Sequence, residues 1–314
     1  MRDATVGAAA FPERGGRPVI LDGALATELE ARGFTLDDPL WSARVLLEAP
    51  EAVRAVHRDY LLAGADVITT AGYQATFEGL ARRGLDRARS EGVLLRAVEL
   101  AREARDAFAS GPERPWVAAS LGPYGALLAD GSEFRGGYGL HVEALRDFHR
   151  PRVDLLARSG AELLAFETVP CIEEAEAIAR ALEDLDGPGA WVSFSCRDGA
   201  HVAQGERIED CVAAVEGVRA VVAVGVNCSH PRWVEELLER ARSATRKPLL
   251  AYPNRGGRWL PEERRWDDSE APHALAWYAA RYVAAGARAV GGCCRTTPGD
   301  IRSLRQTLGG PSPG

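Results

Sequence analysis

Short, nearly continuous apolar runs alternate along this chain with amphipathic helical stretches, and this alternation constrains the fold more than any other feature. Eight runs qualify: Val19 to Asp22, Asp66 to Thr70, Trp116 to Ser120, Leu163 to Thr168, Trp191 to Cys196, Val221 to Asn227, Leu249 to Pro253 and Arg288 to Gly292. Strands buried on both faces of a parallel sheet have this character, whereas half-exposed strands alternate apolar with polar residues. Between the runs the spacing changes to that of helices. After the fourth, Ile172, Ala175, Ala179 and Leu182 keep one face apolar among Glu and Arg. After the sixth, Pro231 suits a first helical turn, and Val234, Leu237, Leu238 and Ala241 line one side. After the eighth, Thr297 reads as an N-cap, with Pro298 next and Asp300 in the first turn. Eight strand–helix units within 314 residues predict an α/β, single-domain (β/α)8 TIM barrel over residues 18–308. Residues 1–17 show no periodicity and residues 309–314 read Gly-Gly-Pro-Ser-Pro-Gly, so both ends are expected to be flexible. The irregular stretches Gly72 to Gly84, Gly122 to Gly137 and Pro253 to Ser269 then become loops over the barrel mouth.

Composition narrows the function classes. With 46% hydrophobic and 26% charged residues the chain is of the globular type. A net charge of −7 without a basic stripe argues against nucleic acid as a partner. No charged-then-apolar leader opens the sequence, and no apolar run approaches the roughly 18 residues that span a membrane. The six cysteines are spread along the chain, which points to a reduced, cytoplasmic enzyme with thiols free or metal-bound.

In a barrel of this kind the active site lies at the C-terminal ends of the strands. Those ends carry Asp22-Gly23-Ala24, Thr69-Thr70 followed by Tyr73-Gln74, Ser120, Glu167-Thr168, Ser195-Cys196, Asn227-Cys228, Tyr252-Pro253-Asn254 and Cys293-Cys294. Carboxylates, amides and thiols gather where a structural barrel needs only turn residues. Cys228 and the doublet Cys293-Cys294 sit on runs six and eight, close enough for their tips to meet. Three thiolates from separate strand ends can hold Zn²⁺ and leave its fourth tetrahedral position open, as a catalytic site requires. The alternatives are a buried apolar thiol at Cys228 and a strained vicinal disulfide or inert packing for the doublet. Cys171, Cys196 and Cys211 read as structural. Asp22 and Glu167, each alone a turn residue or an Arg partner, could together hold a substrate ammonium, with backbone N–H groups of Gly23-Ala24 donating to the carboxylate of the same amino acid.

Six segments carry a resemblance to a known family. They are Leu21-Asp22-Gly23-Ala24-Leu25-Ala26-Thr27-Glu28-Leu29, Ala63-Gly64-Ala65-Asp66-Val67-Ile68-Thr69-Thr70, Tyr73-Gln74-Ala75-Thr76, Glu167-Thr168-Val169-Pro170, Gly225-Val226-Asn227-Cys228 and Gly291-Gly292-Cys293-Cys294-Arg295-Thr296-Thr297-Pro298. Together they resemble the homocysteine S-methyltransferase family, over nearly the whole chain. Asp38-Pro39-Leu40-Trp41-Ser42, Ser120 to Ala126 and Ser193 to Gly199 are most similar to its short members that use S-methylmethionine. The resemblance implies a zinc barrel that makes methionine, with Cys228, Cys293 and Cys294 as zinc ligands and Asp22 and Glu167 on the homocysteine ammonium. It further implies that a zinc-bound homocysteine thiolate attacks the methyl group of a sulfonium donor. Gln74 and Asn227 are expected to shape the substrate site, and Trp41, Tyr73 and Tyr124, with Phe77 and Tyr138 behind them, are donor-pocket candidates through cation–π contact. Ala26 is a departure, since many members carry Gly there. The competing readings keep homocysteine but take S-adenosylmethionine or betaine as donor, or make the chain a non-catalytic zinc or thiol sensor. Oligomeric state is not legible.

Overall fold

All eight apolar runs form strands, and each is carried back to the start of the next by helix, so neighbours pair in parallel. The computed structural model describes residues 11–35, 42–109, 113–260, 265–267 and 273–309. The chain opens with β1 (Val19–Ile20), α1 (Leu25–Ala31), α2 (Ser42–Glu48), α3 (Pro50–Ala63) and β2 (Val67–Thr69). It continues through α4 (Phe77–Ala81), α5 (Arg87–Phe108), β3 (Trp116–Leu121), α6 (Tyr124–Leu128), α7 (Val142–Leu156) and β4 (Leu163–Val169). Next come α8 (Ile172–Leu182), β5 (Gly189–Phe194), α9 (Ile208–Glu216), β6 (Val221–Asn227), α10 (Pro231–Ala244) and β7 (Leu249–Tyr252). A hairpin of β8 (Arg258–Leu260) and β9 (Arg265–Asp267) precedes α11 (Leu275–Ala284), β10 (Ala287–Val290) and α12 (Pro298–Thr307).

The eight-stranded sheet runs β1-β10-β7-β6-β5-β4-β3-β2. It closes on itself through a parallel bridge between Leu21 and Val67, with the Asp22 N–H donating to Val67 O at 3.1 Å. This is the expected (β/α)8 barrel. One apolar layer lies between strands and helices, and a second fills the interior with Val19, Leu21, Val67, Ala118, Ala165, Trp191, Leu250, Tyr252 and Ala289. The small alanines leave room for the large Trp191 and Tyr252 rings. α12 starts as its sequence predicts: Thr297 and Asp300 form a reciprocal capping box with Pro at the next position.

Three stretches expected to be irregular carry local structure. α4 interrupts the first, α6 and a 3-10 turn at Ser132–Phe134 the second, and the β8–β9 hairpin the third. The expectation of a flexible leading segment does not extend to residues 11–17. Phe11 is buried against the interior layer, and the Arg17 guanidinium grips Asp66 through two bonds of 2.7 and 2.8 Å. Arg14 joins Asp66 at 3.4 Å and lies over the Trp116 ring. Asp66 also accepts the Ile20 N–H at 2.9 Å, so one buried carboxylate ties this segment to the closed end of the barrel. Among the described residues no helix is long and apolar enough to cross a membrane.

Candidate active site

The C-terminal strand ends open into a cavity of about 1160 Å³. Asp22, Gly23, Ala24, Tyr73, Gln74, Glu167, Asn227, Cys228, Cys293 and Cys294 all line it, so these ten of the expected site residues meet in one place.

The thiols come from β6 and from the turn after β10, with β7 between them in the sheet. Their Sγ atoms lie within 4.8 Å of one another, and Cys228 Sγ is 3.3 Å from Cys294 Sγ. The segment following β7 holds both sides in register: Cys228 N–H donates to Tyr252 O at 3.2 Å, Cys293 N–H to Pro253 O at 2.8 Å, and Asn254 Nδ2 to Cys228 O at 3.1 Å. Gly292 permits the tight turn into the doublet, because a Cβ there would lie 2.3 Å from Thr296 Oγ1. Cys294 is held well below the ordinary thiol range by hydrogen bonds from Cys228 and Cys293, while contact with its two thiol neighbours pushes Cys228 up. Three sulfurs bound to one tetrahedral ion at about 2.3 Å would stand about 3.8 Å apart, so this donor set fits a soft metal ion with little rearrangement.

Asp22 follows β1 and accepts from Thr69 N–H at 2.7 Å and Thr69 Oγ1 at 2.9 Å. Burial raises its pKa well above the ordinary value, those bonds oppose the rise, and the charge of Glu167 adds to it. Glu167, in β4, accepts from Ser120 Oγ at 2.5 Å. Burial pushes it up to about 7. The partners that hold these two carboxylates are hydroxyls and an amide N–H rather than cations, which leaves both available to a cationic ligand.

Asn227 works as a two-sided clip. Its Oδ1 accepts the Thr168 N–H at 2.8 Å and its Nδ2 donates to Thr168 Oγ1 at 2.9 Å, with Cys293 Sγ 3.9 Å away. Thr168 needs holding, since its φ is +62°. Cys228, Ala129 and Arg295 are the other described non-glycine residues with positive φ, and all four line the cavity. Backbone strain of this kind collects at functional sites. Gln74 is buried with its Oε1 lacking a protein partner. At the Gly23-Ala24 turn the Ala24 N–H makes a long 3.3 Å bond to Thr296 Oγ1, and Tyr60 Oη donates to Ala24 O at 3.1 Å.

The donor-pocket aromatics divide. Tyr73 lines the cavity beside Thr168 and the thiols. Tyr124 does not: its ring packs edge-on against Tyr138 and Phe148, with centroids 5.4 and 5.1 Å apart, because α6 turns it toward α7. Phe77 sits under the Arg87 guanidinium instead. Trp41 lies outside the described residues. Cys171, Cys196 and Cys211 are buried away from the cavity. Sequence reading placed Tyr252 at a strand end but missed its floor partner Trp191, whose Nε1 donates to Tyr252 Oη at 2.9 Å. It also missed Glu133 and Phe134, which line the wall from the 3-10 turn. Continuous apolar strands do not reveal which residue points inward, and an isolated Glu in a loop gives no signal.

The fold and rim together define a barrel enzyme with an acidic, three-thiol cavity at the C-terminal ends of its strands. Residues 19–308 match the homocysteine S-methyltransferase family, and the chain belongs to it. It is 49% identical to a homocysteine S-methyltransferase of Escherichia coli, covering 91% of this chain and 94% of that one. Identity to homocysteine S-methyltransferase YbgG of Bacillus subtilis is 44%, over 91% and 93% of the two chains. The metallated form of the homocysteine methyltransferase MmuM from Escherichia coli superposes with a TM-score of 0.83 at 47% identity, covering 92% of this chain and 96% of that one.

Proposed function

We propose that this homocysteine S-methyltransferase takes its methyl group from S-methylmethionine and holds Zn²⁺ through Cys228, Cys293 and Cys294. The observation that carries the reading is three sulfurs within 4.8 Å of one another beside two unpaired carboxylates in one cavity. A metallated relative of the same fold supports a metal here, and an all-thiol donor set favours zinc among the common ions. When bound, zinc supplies a Lewis acid that keeps the acceptor sulfur ionised at neutral pH. This contribution is limited: an alkyl thiol with pKa near 8.5 gains at most about 2 kcal/mol at pH 7.

The larger contribution comes from orientation, on the order of 7–11 kcal/mol for reactants held in line. Asp22 and Glu167 bind the homocysteine ammonium, and Thr69 and Ser120 fix the rotamers of those carboxylates. Asn227 holds Thr168 and, through it, the wall between Glu167 and the thiols. Gln74 offers its Oε1 to the substrate's donors. The acceptor sulfur then forms a bond to the methyl carbon as the bond from that carbon to the sulfonium breaks. The electron pair stays on the departing sulfur, which leaves as a neutral thioether, and the acceptor's thiol proton goes to solvent. No general acid is needed, because the leaving group departs as a neutral thioether.

The test is methionine formation by the zinc-loaded, reduced protein with L-homocysteine and S-methylmethionine, alongside metal analysis. Two methionines formed per homocysteine consumed support donor and reaction together. Turnover only with S-adenosylmethionine or betaine overturns the donor, and bound zinc without turnover on any of the three points to a sensor.

A further inference from the structure

Of the charged groups that line the cavity without a role in the proposed reaction, Glu133 is the one with a buried oxygen lacking a partner. Glu133 lies in the Ser132–Phe134 turn and lines the cavity with Phe134, Tyr73 and the thiols. The backbone aims it. Ser195 Oγ donates to Glu133 O at 2.8 Å, Asp130 Oδ1 accepts the Ser132 N–H at 2.9 Å, and a Cβ on Gly125 would come within 2.4 Å of Glu133 N. Glu133 Oε2 is buried and accepts no hydrogen bond. The neighbouring cation, Arg135, pairs with Asp130 at 3.6 Å and forms no salt bridge with Glu133 among the described residues, although its charge favours the carboxylate form. Tyr73, Cys228, Cys293 and Cys294 line the same cavity, so this carboxylate and the three sulfurs share one chamber. Asp22 and Glu167 have hydroxyl partners, but this group has none at its buried oxygen. Burial pushes the Glu133 carboxyl up to about 7, so its ionised form is costly without a cation beside it, and three thiolates around one Zn²⁺ would add a net negative charge to the same cavity. A cation placed between the two relieves both.

We propose that Glu133 is the anionic contact for the cationic methyl donor, holding the sulfonium charge at the Ser132–Phe134 wall of the cavity that also holds the thiols. The proposal rests on the reading that the donor is a sulfonium. It also has a kinetic signature. The positive charge fades as the methyl leaves, so Glu133 stabilises the bound donor more than the transition state. Its loss therefore falls on donor KM rather than on kcat.

The test compares wild type with Glu133→Gln as zinc-loaded full chains, varying S-methylmethionine and homocysteine independently. The expected result is a donor KM raised about 10- to 100-fold, as for a lost charge-assisted contact. Homocysteine KM and zinc content stay unchanged, and kcat is kept or slightly raised. Glu133→Asp, which retains the charge, should recover most of the donor affinity and so separates charge from folding. An unchanged donor KM in Glu133→Gln, or an equal rise in both KM values, overturns the proposal. Wild-type turnover with S-adenosylmethionine but not S-methylmethionine overturns the donor reading alone, and the same comparison is then made with S-adenosylmethionine.

Discussion

Ser120→Ala is the sharpest probe of the proposed ammonium clamp. Ser120 Oγ donates to Glu167 Oε2 at 2.5 Å, and that bond pulls down a carboxyl that burial has pushed up to about 7. A hydrogen bond to a charged group contributes about 1.5–3 kcal/mol, and one pH unit corresponds to about 1.4 kcal/mol. Removing the hydroxyl therefore lifts the Glu167 pKa by about one to two pH units. The clamp needs the carboxylate form, so kcat/KM for homocysteine rises as pH rises through this value. In Ser120→Ala the rising limb moves to higher pH. At pH 7 the ionised share drops from about one half to between one-tenth and one-hundredth, which lowers kcat/KM about 5- to 50-fold. At pH 9.5 the two proteins come within about twofold of each other. The assay is methionine formation with homocysteine varied at saturating donor from pH 6 to 9.5. Ionisation of homocysteine itself cancels in the ratio. An equal loss at every pH would mean that Ser120 does not act through Glu167. No loss at any pH would remove Glu167 from the clamp.

Three further outcomes are expected. Cys294→Ser should retain less than about one-tenth of the wild-type zinc after gel filtration with a chelator, and full metal content there would refute the three-thiol site. Asn227→Ala strands the Thr168 N–H and hydroxyl and should lose about 1–3 kcal/mol in denaturant unfolding. Adding Thr168→Gly, which relieves the positive φ, should recover part of that loss, and a purely additive double variant would argue against the clip. Without substrate, the raised Glu167 binds its proton more tightly folded than unfolded. It therefore stabilises the protein fully below the ordinary value of 4.5, and this contribution is lost as pH rises to about 7. The stability difference between wild type and Glu167→Gln should fall across that window, and a flat difference would contradict the raised value.

The sequence made the barrel legible because the strands are almost wholly buried on both faces, which leaves eight apolar runs that nothing else explains. The thiols were legible for a different reason: strand ends converge in this fold, so residues far apart in sequence meet at one rim. What escaped notice depends on direction or distance. Tyr124 sits in the same mouth segment as Glu133, yet α6 turns its ring onto Phe148 while the turn at Ser132–Phe134 aims Glu133 inward. Neither orientation has a local signature. The seal at Phe11, Arg14 and Arg17 was hidden because its partner, Asp66, lies beyond three helices. α4 is only five residues, too short for periodicity to separate from a loop, and its capping by Thr76 becomes visible only in the bond from Gly79 N–H at 2.9 Å. Thr69 and Ser120 stood at the rim in plain view, but small hydroxyls at strand ends look like turn residues until a carboxylate is seen to need them.

The closed end of the barrel has a consequence for the order of events. Trp191 and Tyr252 form the cavity floor, the packed interior lies beneath them, and Phe11 with its arginine neighbours finishes the seal. Glu167 sits by that floor within the influence of Tyr252, whereas Glu133 belongs to the mouth. Traffic through such a vessel is last in, first out. On the proposed reading homocysteine must enter before the donor, and the two methionines, chemically identical, leave in sequence: first the one that gave its methyl, then the one that received it.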